Sequence, residues 1–210
     1  MSKVLVESST GSLSRRQFLG QSAAVGSGLV IAISAPWSME ATAQSSQPAE
    51  VNAWVVVRPD DSVVIRIARS EMGQGTLTGL AQLVAEELDC DWAKVTTEYP
   101  TPGQNLARNR VWGNFSTGGS RGIRDSQDYV RKGGAIARMM LVQAAADEWQ
   151  VSAADCRAAN SIITHVPSGR TTTFGKVATA AGKLAQPTAV SLKNPKDWKL
   201  AGKRLARLDT

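Results

Sequence analysis

Two short glycine-rich loops contain the residues of this chain that are best suited to holding a ligand. The first loop is Met72, Gly73, Gln74 and Gly75, and the second is Thr117, Gly118, Gly119 and Ser120. Glycine lets a backbone approach a ligand closely, and amide and hydroxyl side chains both donate and accept hydrogen bonds. Neither loop has the lysine of a phosphate-binding P-loop or the glycine spacing of a dinucleotide fingerprint. The residue types therefore indicate a neutral, polar cradle.

Each loop precedes an apolar pattern with helical period. The stripe after the first loop is Leu77, Leu80, Ala81, Val84 and Leu88, and the longer pattern at about 120–150 has Ile123, Val130, Ala137, Met140, Leu141 and Ala144. Unpaired N–H groups and the dipole at a helix N-terminus favour an oxygen-rich or anionic ligand. Glycine before a helix is also ordinary turn chemistry, so each loop alone is open to that interpretation. Gly133 and Gly134 inside the longer pattern indicate close packing or a kink.

Short β-branched runs predict the strands. Residues 51–58 and 63–68 predict a hairpin closed at Pro59–Ser62, and residues 94–99 predict a further strand. We expect a polar loop at 100–114, a second hairpin around Asn160 and Ser161, and a short helix at 174–184. The fold class is therefore expected to be α+β, with a β-hairpin and strands packed against two main helices.

The first 43 residues have the features of a twin-arginine export signal. Arg15 and Arg16 precede Phe18 and an apolar run that is too short and glycine-rich for a membrane-spanning helix. Small residues at 41–43 predict cleavage before Gln44. We expect export to the periplasm in a folded state, and an uncleaved membrane anchor is the alternative. The predicted organisation is thus a signal at 1–43, a main domain at 44–150 and a small α/β extension at 151–210.

Composition limits the chemistry that the chain can perform. The single histidine, His165, argues against a histidine metal site or a Ser-His-Asp triad, and Cys90 and Cys156 have no metal-ligand spacing. We therefore predict neither catalytic nor metal-ligating residues. The formal charge of +6 is densest at 193–207, which we interpret as a solvated tail, with attraction to an anionic cofactor or a partner subunit as the alternative. We expect no nucleic acid as a partner.

Three segments resemble the molybdenum hydroxylases of the xanthine dehydrogenase type. They are Glu71–Leu88, Thr117–Arg121 and Leu192–Thr210, and within that family they are most similar to the isoquinoline 1-oxidoreductase beta subunit group. The resemblance implies that residues 44–150 are part of a molybdopterin-binding domain. It also implies that Met72–Gly75 and Thr117–Ser120 lie at a molybdenum–molybdopterin cytosine dinucleotide.

The same resemblance implies that the complete enzyme oxidises N-heteroaromatic compounds or aldehydes with oxygen from water. Implied partners are a small 2Fe-2S subunit, the remainder of the large subunit, and a periplasmic electron acceptor such as a c-type cytochrome. A further cofactor loop and a catalytic glutamate lie downstream in the family, and Glu71 is not that glutamate. We therefore expect a cofactor-binding portion that is incomplete and inactive alone, as a fragment, truncated product or split subunit. The alternative is a non-catalytic exported binding or structural module.

Overall fold

A four-stranded sheet begins the part of the chain that the computed structural model describes, residues 48–210. Its strands are β1 (Ala49–Glu50), β2 (Val55–Val57), β3 (Val63–Arg66) and β4 (Val95–Glu98), in that spatial order. The pairs β1–β2 and β2–β3 are antiparallel, and β3–β4 is parallel. The predicted hairpin is confirmed with shorter strands, whereas β1 precedes the residues predicted as strands. The predicted export signal lies outside the described residues.

Five helices complete the described part of the chain: α1 (Thr76–Leu88), α2 (Pro102–Ala107), α3 (Arg121–Arg124), α4 (Gln127–Trp149) and α5 (Phe174–Ala181). Both long helices occur where the apolar periodicity predicted them, so the α+β prediction is confirmed. The continuous helix expected at about 120–150 is wrong, because the chain breaks at Asp125 and Ser126 between α3 and α4. None of these helices has the length and hydropathy that a membrane crossing requires.

Helix α2 corrects the prediction of a polar loop at 100–114, because residues 102–107 of that range are helical. Thr101 Oγ1 accepts a hydrogen bond from the Gln104 amide at 3.2 Å, and Gln104 Oε1 accepts one from the Thr101 amide at 2.7 Å. This reciprocal capping box satisfies two amides at the helix start, and Pro102 follows at a position where proline is favoured. Local capping therefore stabilises a short helix that has no apolar periodicity.

Helices α1 and α4 pack against each other at close range. The apolar stripe of α1 is buried throughout. Every α4 residue of the second predicted stripe is also buried, whereas Ile123, which lies in α3, is exposed. A Cβ atom at Gly134 would overlap the carbonyl oxygen of Val84, and one at Gly133 would lie 2.7 Å from the Trp54 ring. Of the two predicted roles for this glycine pair, the structure confirms close packing.

A second, antiparallel sheet follows α4. Its strands are β5 (Cys156–Ala159), β6 (Ile162–His165) and β7 (Thr171–Thr173), in that order. Asn160 and Ser161 both have left-handed φ angles, 50° and 62°, as the predicted hairpin turn requires. This sheet and the first one belong to the same compact unit.

The C-terminal segment from residue 185 onward has little regular structure, but it packs against α1 and is not a free, solvated tail. The Lys193 ammonium group bonds Asp89 Oδ1 at 2.6 Å, and the Lys193 side chain is only 15% exposed. The two fully buried carboxylates of the structure's described part, Glu86 and Glu87 of α1, bond this segment as well. Basic residues that remain exposed are Lys196, Lys199, Lys203, Arg204 and Arg207.

Candidate functional site

The two glycine loops meet at one cleft. Its lining residues are Met72, Gln74, Thr76, Thr117, Gly118, Gly119, Ser120, Gly122 and Ile123, and its volume is about 480 Å³. Small-molecule sites commonly have volumes of about 300–1,000 Å³. The cleft is therefore large enough for a ligand the size of a fused heterocycle.

Six of the eight residues singled out from the sequence line this cleft. Gly73 and Gly75 do not line it, but their φ angles of 95° and 80° form the turn of the first loop. A side chain at either glycine would be strained, because L-residues rarely adopt these angles. The two glycines therefore shape the loop, while Met72 and Gln74 face the cleft.

Three lining residues were missed by the sequence analysis. Ile123 was predicted to be buried, which is wrong, because 39% of the residue is exposed. A Cβ atom at Gly122 would lie 2.8 Å from Thr76 Oγ1, so this glycine lets α3 approach the start of α1. No motif in the sequence indicates the contact between Gly122 and Thr76, because the two residues lie in different helices, α3 and α1.

Direct hydrogen bonds join the residues just before the first loop to the second loop and its neighbours. The Ser70 amide donates to Thr117 Oγ1 at 2.9 Å. The Arg69 guanidinium donates to Ser126 Oγ at 3.0 Å and also to the carbonyl oxygen of Ser116. Arg69 is therefore a link between the end of β3, the second loop and the start of α4. Its sequence context, after an apolar strand, gave no signal of this role.

The carboxylate of Glu71 occupies the backbone donors of the first loop. Its Oε1 accepts from the amides of Gly73 at 2.7 Å and Gly75 at 2.9 Å, and its Oε2 accepts from the Leu77 amide at 2.9 Å. Burial raises the pKa of Glu71, but these three hydrogen bonds outweigh burial and hold the pKa below its ordinary value. The expectation that the amides of this loop face a ligand is therefore wrong for Gly73 and Gly75.

The side-chain amide of Gln74 is also used within the loop. Its Oε1 accepts from the Met72 amide at 2.6 Å, and its Nε2 donates to the Ser70 carbonyl oxygen at 2.8 Å. Met72 itself is 72% exposed. The first loop therefore presents an apolar thioether side chain and a tethered amide to the cleft.

The second loop presents backbone donors instead. The amides of Gly118 and Gly119 donate to no other residue in the range 48–210. The carbonyl oxygens of this loop do have partners: Arg121 Nε donates to that of Gly118 at 3.1 Å, and the Arg124 guanidinium donates to that of Gly119 at 3.4 Å. These arginines hold the loop without using its amides, which leaves the amides able to bond an acceptor in the cleft.

Comparison with known proteins gives matches over most of the chain. A family model described as a molybdopterin cofactor-binding domain matches residues 8–204. Isoquinoline 1-oxidoreductase subunit beta of Brevundimonas diminuta is 35% identical over 169 residues, which cover 79% of this chain and 22% of that protein. The membrane-bound aldehyde dehydrogenase (pyrroloquinoline-quinone) of Gluconacetobacter polyoxogenes is 30% identical over 172 residues, which cover 79% of this chain and 21% of that protein. The chain spans about a fifth of the length of these relatives.

Solved structures with a similar region include two oxidoreductases. Quinoline 2-oxidoreductase from Pseudomonas putida 86 matches with a TM-score of 0.40 and 19% identity, over 60% of this chain and 15% of that chain. Reconstituted CO dehydrogenase from Oligotropha carboxidovorans matches with a TM-score of 0.43 and 21% identity, over the same shares.

Proposed function

The chain belongs to the family of molybdopterin cofactor-binding domains of molybdenum-dependent oxidoreductases, and we propose that its glycine-loop cleft forms one wall of the cofactor site. The observation that carries this proposal is the convergence of Met72–Gly75 and Thr117–Ser120 on a single cleft of about 480 Å³. Loops on opposite sides of the molecule would have argued against it.

The groups in the cleft fit a pterin. A pterin is a flat heterocycle with polar edges, and the amides of Gly118 and Gly119 and the hydroxyl of Ser120 offer hydrogen bonds to such an edge. The exposed side chains of Met72 and Ile123 offer apolar contact to a ring face. We propose that the second loop binds the polar edge and that these two side chains pack on the ring.

When bound in the complete enzyme, the cofactor would supply two-electron oxidation chemistry with oxygen from water. Residues of this chain contribute binding and orientation. Arg69 and Thr117 hold the second loop beside the residues that precede the first, because Arg69 donates to Ser116 and the Ser70 amide donates to Thr117. Gln74 can bond the cofactor only by giving up its bond to Met72 or Ser70.

Finer features of the function are also proposals. Because one relative is named for isoquinoline oxidation and another for aldehyde oxidation, we propose N-heteroaromatic compounds or aldehydes as substrates of the complete enzyme. The exposed Arg121 and Arg124 beside the second loop favour a dinucleotide form of the cofactor, such as the cytosine form, whose phosphates they would meet. A 2Fe-2S subunit is proposed as the electron acceptor, with a periplasmic carrier after it.

We propose export through the twin-arginine route, because Arg15 and Arg16 precede an apolar run. Replacing both residues by lysine should leave the chain in the cytoplasmic fraction of a cell that exports the unaltered chain. Equal periplasmic amounts of both versions would contradict this proposal.

A second candidate is a non-catalytic exported module that kept the fold. The observation in its favour is the internal satisfaction of the first loop, where Glu71 and Gln74 already bond the groups that would meet a cofactor. A module of this kind would bind no molybdenum.

Cofactor analysis of the full chain separates the two candidates. We would purify it from a bacterium that makes the cytosine dinucleotide cofactor, and measure molybdenum by mass spectrometry and pterin by fluorescence after oxidation. The proposed function predicts molybdenum and pterin in equal amounts. A folded chain that contains neither, or that contains pyrroloquinoline quinone instead, would contradict it.

A substitution inside the cleft tests its location. Gly118 lines the cleft and a Cβ atom there meets no atom within 4 Å, so Gly118→Leu should fill space that the cofactor needs and lower the pterin content severalfold. Gly103→Leu is the matched control, because Gly103 is exposed on α2 and lies outside the cleft. Equal pterin contents in the two variants would place the cofactor elsewhere.

A further inference from the structure

Glu71 stands where an anionic ligand would bind at the start of α1. The amides of Gly73, Gly75 and Leu77 all point at its carboxylate, at distances of 2.7–2.9 Å. Backbone amides that converge at a helix start ordinarily favour phosphate or a carboxylate. Here the anion comes from the loop itself.

An external anion competes poorly with this internal one. Glu71 is two residues from Gly73 and its side chain is 10% exposed, so the carboxylate is present at a high effective concentration beside the amides. A phosphate group would have to displace three charge-assisted hydrogen bonds before it could form its own. The amides of Gly73, Gly75 and Leu77 are therefore closed to a ligand's phosphate.

Groups around Glu71 keep its carboxylate in place. The Arg207 guanidinium lies 3.5 Å from Oε1, and Arg207 also bonds Asp209, whose negative charge opposes the anionic form of Glu71. The backbone amide of Glu71 donates to the Tyr99 hydroxyl at 3.1 Å. Glu71 is thus fixed at its backbone by Tyr99 and at its carboxylate by the loop and Arg207.

The carboxylate also determines the shape of the loop that faces the cleft. Gly73 and Gly75 have φ angles of 95° and 80°, and both of their amides donate to the same oxygen of Glu71. Met72 lies between Glu71 and Gly73, so the same bonds direct its side chain outward. Loss of the carboxylate would release both amides and with them the position of Met72.

We infer that Glu71 is a positioning residue, the internal anion at the first loop, and that this loop therefore meets a ligand through the side chains of Met72 and Gln74 and not through the amides of Gly73 and Gly75. The inference rests on the proposed function of the cleft. It assigns Glu71 neither contact with a cofactor nor proton transfer. It also leaves the second loop as the wall that offers backbone donors.

Backbone amide exchange of the full chain, measured by nuclear magnetic resonance, tests the inference. In Glu71→Ala, the amides of Gly73, Gly75 and Leu77 should exchange about 10- to 100-fold faster, because each loses a hydrogen bond to a charged acceptor. Exchange at the core strands should rise less than exchange at these three amides, because core amides report global unfolding and not the local loss of one acceptor. Asp128→Asn is the charge-matched control, since Asp128 is exposed and bonds only Lys132, and it should leave all three amides protected.

Titration with inorganic phosphate at pH 7 gives a second readout. In the unaltered chain, phosphate should not shift the resonances of these three amides, whereas in Glu71→Ala it should shift all three. If Glu71→Ala fails to fold, Glu71→Gln provides the same test, because its one amide oxygen should protect fewer of the three amides. Phosphate shifts at these amides in the unaltered chain, or full amide protection in either variant, would overturn the inference.

These outcomes are separable from those of the proposed function. Fast exchange in the variant together with a chain that binds no pterin would contradict the proposed function and support the role of Glu71 in shaping the loop. Protected amides in the variant together with normal molybdenum and pterin content would contradict the role of Glu71 and support the proposed function. If both proposals hold, Glu71→Ala should fold and lose pterin severalfold, and Asp128→Asn should retain it.

Discussion

Replacing Glu86 by alanine should detach the C-terminal segment from α1. Glu86 is 2% exposed, and its Oε2 accepts hydrogen bonds from three consecutive amides, those of Lys199 at 2.9 Å, Leu200 at 2.6 Å and Ala201 at 3.0 Å. Its Oε1 lies 3.7 Å from the Lys193 ammonium group. One buried carboxylate therefore anchors a stretch of chain that has almost no regular structure of its own.

The cost of this substitution follows from the groups left behind. Each hydrogen bond to a charged partner contributes about 1.5–3 kcal/mol, but the three share one acceptor and are not additive. Removing one partner from a buried charged cluster costs about 3–5 kcal/mol, and we adopt that range for Glu86→Ala. Since a change of 1 kcal/mol shifts Tm by about 2–4 °C in a domain of this size, Tm should fall by about 6–20 °C.

Limited trypsin digestion and thermal unfolding together measure the effect. Lys196, Lys199 and Lys203 are exposed trypsin sites on the anchored segment, and they should be cleaved much faster once the segment detaches. Glu148→Ala is the matched control, because Glu148 is an exposed glutamate on α4, and it should change Tm by only a few degrees. Equal Tm values and equal digestion rates for the two variants would refute the reasoning.

Three further predictions concern packing, thiol reactivity and acid. Gly134→Ala should cost about 1–3 kcal/mol in urea unfolding, because its Cβ overlaps the Val84 carbonyl oxygen, whereas Gly118→Ala, with no neighbour within 4 Å, should change stability by less than about 0.5 kcal/mol. Burial raises the pKa of Cys90 to about 12, so mass spectrometry should find its thiol unmodified by iodoacetamide at pH 8 until urea unfolds the chain. The pKa of Glu71 lies below its ordinary value of 4.5, so its contribution to stability is complete above pH 4.5 and is lost as pH falls through the lower folded value. Circular dichroism should therefore show that Glu71→Gln is less sensitive to acid below pH 4.5 than the unaltered chain, and equal sensitivity would contradict the assigned hydrogen bonds.

Local patterns predicted the elements that periodicity or turn chemistry specifies. The stripe from Leu77 to Leu88 placed α1 within a residue of its observed bounds, because an apolar face every three or four residues has one stable arrangement. The turn at Asn160 and Ser161 was found for a similar reason, since those residue types tolerate left-handed backbone. The two loops were found from their glycines, which marked positive φ angles at Gly73 and Gly75.

Long-range contacts could not be predicted from these patterns. Glu86 and Glu87 look like solvent-facing residues of α1, yet both are buried because residues more than a hundred positions later return to bond them. Glu71 likewise gave no sign that it would bond the amides of its own loop, because that depends on its side-chain rotamer. The burial and hydrogen bonding of a polar side chain therefore cannot be predicted from local sequence patterns when its partners are set by the tertiary fold.

The cleft and the C-terminal segment are physically connected through α1. Residues 193–201 bond the C-terminal half of this helix through Glu86 and Glu87, and residues 207–209 reach its N-terminal end. There the Leu208 amide donates to Thr78 Oγ1 at 3.0 Å, and Arg207 approaches Glu71. Because Glu71 shapes the loop that faces the cleft, detaching the segment at Glu86 should also weaken the support that Arg207 gives to that loop. Amide exchange at Gly73 should therefore rise in Glu86→Ala, although Glu86 lies at the far end of the helix, and unchanged exchange at Gly73 would show that the first loop is held by Glu71 alone.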